Sequence, residues 1–98
     1  MALEILWSKQ ADIRFDSILQ YLEEEWGQHS VSLFVKKVYD FLDLLSEFPE
    51  IGTIENKEHN IRGFGIVKQI RIFYQIRENM IVLLNFYDNR QSTKRKKY

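Results

Sequence analysis

The chain has 98 residues, 45% hydrophobic and 29% charged, with 14 Lys/Arg against 14 Asp/Glu and no cysteine. That describes one small domain with a modest core, and it excludes a disulfide scaffold, thiolate chemistry and any cysteine-ligated zinc site. The neutral total hides a split: residues 1–58 hold five Lys/Arg and twelve Asp/Glu, net −7, and residues 59–98 hold nine and two, net +7. The second half could therefore present a positive field to a polyanion, unless the two halves fold so that their surfaces intermix. No apolar run reaches the length of a membrane span. The first residues lack the positive start and cleavage pattern of a secretory leader, so the expected location is cytoplasmic.

Leu3 to Trp7 reads as a short strand, and Ser8 as the N-cap of a helix. From Lys9 to Trp26, Ala11, Phe15, Ile18, Leu22 and Trp26 recur at helical spacing and form one apolar stripe. Gly27 stops this helix. Phe34, Val38, Phe41, Leu45 and Phe48 repeat the pattern, and Pro49 ends it. So short a connection predicts an antiparallel helical hairpin.

After Gly52 the period shortens towards that of strands. Residues 53–58 fit a short edge strand, and His59 to Phe64 another. Ile66 to Ile76 reads as one long strand, with Ile70, Ile72, Tyr74 and Ile76 on one face and Arg71, Phe73, Gln75 and Arg77 on the other. Glu78-Asn79 is a reversal, and Met80 to Tyr87 a well-covered strand. The rest, from Asp88 to Tyr98, is polar and basic. The fold expected is α+β: a short N-terminal strand, then a helical hairpin packed on one face of a three- or four-stranded, mainly antiparallel sheet. The other face stays open, with Arg71 and Phe73 looking out from it. Residues 1–98 form one domain, with a basic tail from about residue 90.

The segment most suggestive of function is 60–74. It combines Arg62, Lys68 and Arg71 with Phe64 and Phe73. Guanidinium groups grip phosphate with paired hydrogen bonds, and a ring can stack a base. Arg62 and Arg71 serve equally well as ordinary surface or salt-bridge groups. Gly63 and Gly65 fit a bulge or tight bend better than a phosphate loop. His29 and His59 stand 30 residues apart, without the spacing of metal ligands, and no cofactor is expected. Arg90, Lys94, Arg95, Lys96 and Lys97 make the tail cationic, which would give salt-dependent attraction to polyanions.

Taken together, Trp7-Ser8, Ala11-Asp12, Ile18 with Tyr21, Phe48-Pro49 with Gly52, Ile61-Arg62, Arg71-Ile72-Phe73-Tyr74 and Tyr87-Asp88-Asn89-Arg90-Gln91 carry a family likeness. The chain resembles the toxin subunits of type II toxin–antitoxin modules, the RelE/ParE superfamily, often called plasmid stabilization proteins. The resemblance implies a bacterial host and a cognate antitoxin that wraps the toxin. One branch of the superfamily cleaves messenger RNA on the ribosome, and the other poisons DNA gyrase.

In the nuclease branch, the resemblance makes Arg71 and Arg90 the phosphate-holding arginines and Tyr98 the C-terminal tyrosine that protonates or orients the leaving 5′-oxygen. Lys68 would assist deprotonation of the 2′-OH. Arg62, Phe73, Lys94 and Arg95 would hold the substrate, Phe73 by supporting a base. The leading expectation is such a ribosome-dependent endoribonuclease. The alternatives are a gyrase poison and a non-catalytic antitoxin-binding relative. The lysine pair of the nuclease branch is missing from the strand before Arg71. Arg62 and Phe64 stand there, and Ile61-Arg62 looks closer to the gyrase branch.

Overall fold

The computed structural model describes residues 2–89. The elements are β1 (Glu4–Trp7), α1 (Lys9–Trp26), α2 (Gln28–Glu47), β2 (Thr53–Asn56), β3 (Ile61–Val67), β4 (Ile70–Arg77) and β5 (Met80–Asp88). They build one five-stranded sheet in the order β1-β5-β4-β3-β2. Strands β2 to β5 are the expected antiparallel meander, and β1 adds to its edge, parallel to β5 with Glu4 opposite Met80. The helical hairpin joins β1 at one edge of the sheet to β2 at the other, and so lies across one face.

Local chemistry sets the helix ends. The Ser8 hydroxyl accepts from the Ala11 amide at 3.1 Å and donates to the Leu84 carbonyl at 3.1 Å, so one side chain caps α1 and pins it to β5. Gly27 sits at φ +91°, where glycine is favoured, and its amide closes α1 on the carbonyls of Leu22 and Glu23. Two helices can therefore follow each other with a single residue between them.

The core lies between the hairpin and one sheet face. Ala11, Ile18, Leu22, Phe34, Val38, Phe41 and Leu45 from the helices meet Ile70, Ile72, Tyr74, Ile81, Leu83 and Phe86 from β4 and β5. Phe41 stacks on Phe64 of β3 with ring centroids 4.3 Å apart. The two predicted stripes are right except at their ends. Trp26, the last residue of α1, and Phe48, the residue just past α2, are 66% and 59% exposed.

Two other expectations need correction. Ile66 to Ile76 is not one strand: Lys68 and Gln69 form a turn, and Val67 pairs with Ile70 across it. The turn carries no Gly, Pro or Asn, so none of the usual turn residues marks it. The glycines do mark an irregularity, since the register shifts between Gly65 and Val67. And Phe73 does not look out: it is on the face away from the helices, yet it is 0% exposed. Its ring edge reaches to within 3.0 Å of where a side chain on Gly63 would begin, and the Arg71 guanidinium stands 6.0 Å from its centroid. Glycine at position 63 leaves room for the ring to lie down against the sheet.

Candidate functional site

Arg71 stands on the open face of β4, opposite Gly65 of β3 and Tyr87 of β5. Its Nη2 donates to Glu55 Oε2 at 3.0 Å and to Thr53 Oγ1 at 3.3 Å. The Thr53 hydroxyl also lies 3.3 Å from Glu55 Oε2. Thr53 and Glu55 alternate on β2, so both reach the same side. Gly63 is the floor between them and Arg71: a Cβ there would stand 2.8 Å from Glu55 Oε2 and 2.9 Å from Arg71 Nη2. The pair is partly withdrawn from water, with side-chain exposures of 30% for Arg71 and 15% for Glu55. Arg71 Nε, on the same edge of the guanidinium as Nη2, is buried without a hydrogen-bond partner among the described residues.

Arg62 works elsewhere. It lies opposite Tyr74, and its Nη1 donates to the carbonyls of Glu50 at 3.1 Å and Gly52 at 2.8 Å. The guanidinium ties down the loop between α2 and β2. Tyr74 does the same from beneath: its hydroxyl donates to the Pro49 carbonyl at 2.8 Å and accepts from the Gly52 amide at 2.9 Å. Burial raises the pKa of this phenol, against a smaller lowering by the Gly52 amide and the Arg62 charge. A phenol whose folded pKa exceeds its unfolded value of 10.0 stabilises the fold fully below pH 10. That contribution is lost as pH rises from there through the folded pKa. Chemical denaturation from pH 8 to 11 should therefore show a steeper alkaline loss in the wild type than in Tyr74→Phe; equal slopes would mean that the phenol does not report this burial.

The structure sorts the expected site residues into four groups. Arg71 and Phe73 come together on one face, but the ring is covered and the cation is paired. Lys68 is exposed in the β3–β4 turn. That turn lies beside the end of β5, since the Asn89 amide donates to the Gln69 carbonyl at 2.8 Å. Arg62 is turned to the loop rather than to the open face. Arg90, Lys94, Arg95 and Tyr98 lie outside the described residues. Sequence reasoning missed Thr53 and Glu55. Their signal was the Thr-x-Glu alternation itself, which places a hydroxyl and a carboxylate on one side of a strand. Among the described residues, no three His, Asp or Glu side chains are grouped to hold a metal ion, and no helix is long and apolar enough to cross a membrane.

A helical hairpin thus covers one face of a mixed sheet, and a paired arginine stands at the centre of the other, in an α+β domain. The family described as the ParE toxin of the type II toxin-antitoxin system, parDE, matches residues 5–92. The chain belongs to that family, within the RelE/ParE toxin superfamily. Comparison with curated proteins gives no sequence match.

Solved structures agree in fold. One is the chromosomal ParDE toxin–antitoxin system from P. aeruginosa, with a TM-score of 0.73 at 13% identity over 89% of this chain and 96% of that one. A YoeB/ParE toxin from Agrobacterium tumefaciens gives 0.61 at 10% identity, covering 88% of this chain and 98% of that one. The YoeB dimer from Staphylococcus aureus gives 0.61 at 18% identity over 89% and 97%.

Proposed function

We propose that this protein is the growth-inhibiting toxin of a type II toxin–antitoxin pair and that it acts as a poison of DNA gyrase. The match to the ParE family along nearly the whole chain carries this reading. The site geometry agrees with it. The arginine that a ribonuclease would turn to a scissile phosphate is engaged by Glu55, Phe73 is covered, and Arg62 holds a loop.

The antitoxin is the expected partner. Leu44, Phe48 and Ile54 are exposed apolar side chains. A cleft of about 510 Å³ runs along Glu47, Phe48, Pro49, Glu50 and Ile51. An amphipathic segment of the antitoxin would cover such a surface, paying its ordering cost on binding.

The second reading is the ribosome-dependent nuclease, favoured by the unpartnered Nε of Arg71. There Arg71 and Arg90 would stabilise charge on the phosphoryl oxygens, Lys68 would assist the 2′-OH, and Tyr98 the leaving oxygen, with Lys94 and Arg95 on the message.

The test is a pair of assays with the purified toxin. In a supercoiling reaction with DNA gyrase, relaxed plasmid should stay relaxed or accumulate as cleaved DNA. In a purified translation system, a reporter message should stay intact. Message cleaved inside ribosome-occupied codons by the wild type, and not by Arg71→Ala, would overturn the gyrase reading in favour of the nuclease.

A further inference from the structure

The Arg71 guanidinium has a geometry of its own to explain. Nε and Nη2 share one edge, the edge that matches two oxygens of a phosphate. Glu55 fills only the Nη2 end, at 3.0 Å. The Nε end is buried and has no acceptor among the described residues. Thr53 closes the side of the site, with its hydroxyl 3.3 Å from Nη2 and 3.3 Å from the carboxylate. Gly63 leaves the floor free of any side chain, so the carboxylate sits directly over strand backbone.

We infer that Glu55 is an internal blocking group. Its carboxylate takes the position of a phosphodiester on Arg71 and so excludes nucleic-acid backbone from the open face of the sheet. A carboxylate and a phosphate both offer paired anionic oxygens, but the internal carboxylate is tethered on the same sheet and needs no association from solution. The ligand class excluded is the phosphodiester of a single-stranded nucleic acid. Base stacking adds nothing, because the aromatic ring against Arg71 is the buried Phe73. Glu55 is thus a specificity-determining residue. This inference rests on the gyrase reading, since the nuclease reading needs Arg71 on the scissile phosphate; the RNA-binding test below reads Glu55 without either target present.

The test is a double-mutant cycle read by fluorescence anisotropy, with a short labelled single-stranded RNA as probe across a salt series. Glu55→Ala should bind the RNA about five- to tenfold more tightly than the wild type at low salt. Its dependence of log K on log salt should be steeper by about 0.7, the value of one added phosphate contact on a single strand. Glu55→Gln, which keeps the size of the side chain, should show a smaller gain of the same kind and covers the case in which the alanine variant folds poorly.

Arg71→Ala should change binding little in the wild type but abolish the gain in Glu55→Ala. Glu78→Gln removes the same charge from the exposed β4–β5 turn and should leave the slope unchanged. Three results would each overturn the inference: Glu55→Ala and Glu55→Gln both binding as the wild type does, a gain that survives in the Glu55→Ala/Arg71→Ala double variant, or an equal gain in Glu78→Gln.

Discussion

Gly52→Ala should lower stability by about 3 kcal/mol, because the added methyl has nowhere to go and displaces a buried hydrogen-bond network. A Cβ at position 52 would stand 2.7 Å from the Gly63 carbonyl oxygen, 2.7 Å from the Tyr74 hydroxyl and 3.0 Å from its Cε1. The first is strand backbone. The second belongs to a side chain that is 0% exposed and held by the Pro49 carbonyl. Neither yields cheaply. Moving Tyr74 breaks its bonds to Pro49 and Gly52, and moving the loop breaks the Arg62 contacts to Glu50 and Gly52.

In a domain of this size each kcal/mol shifts the melting temperature by about 4–8 °C, so the loss should be about 12–24 °C. Gly65→Ala is the contrast. A Cβ there meets only Arg71 Nη1, at 3.9 Å, and the melting temperature should hardly move. Thermal unfolding followed by circular dichroism checks both; a Gly52→Ala protein melting within a few degrees of the wild type would show that the loop relaxes around the methyl.

The same loop shows why the sequence was legible in part. Helices and strands announce themselves through spacing, and the apolar positions of α1, α2, β4 and β5 were readable because each element has one face against a common core. Tyr74 was readable as a core residue for this reason. Its hydroxyl bonds to Pro49 and Gly52 were not, since they join segments more than 20 residues apart. Phe73 misled for a related reason. Alternation places it on the outer face correctly, but only the pairing of β3 with β4 reveals a glycine opposite it and hence a bed for the ring. At the candidate site, Arg71 was legible as a cation on a wet face. Its partner was not: the Thr-x-Glu alternation puts Glu55 on one side of its own strand, but Glu55 lies on the far side of β3 from β4, and nothing in local spacing joins it to Arg71.

The largest loss of stability should come from Phe86→Ala, at about 3–5 kcal/mol. Phe86 is 1% exposed and is the meeting point of three elements. Its ring lies 5.8 Å from that of Trp7 on β1 and 5.4 Å from that of Phe15 on α1. Phe15 in turn packs 6.0 Å from Phe34 of α2 and 5.1 Å from Trp7. Truncation removes the ring that binds the parallel edge strand and α1 to β5, and facing aromatics are too stiff to collapse into the space. Set against a total stability of about 5–15 kcal/mol for a small domain, the loss is a large fraction of the whole.

Phe48→Ala removes a ring of the same size from a site that is 59% exposed, and stability should stay within about 0.5 kcal/mol of the wild type. Urea unfolding followed by tryptophan fluorescence, to which Trp7 against Phe86 and the exposed Trp26 both contribute, reads both changes. If Phe86→Ala cost no more than Phe48→Ala, the aromatic cluster would not be what holds β1 to the sheet. In that case the parallel ladder from Glu4 opposite Met80 to Trp7 opposite Leu83, with the Ser8 hydroxyl on Leu84, would have to hold that edge by itself.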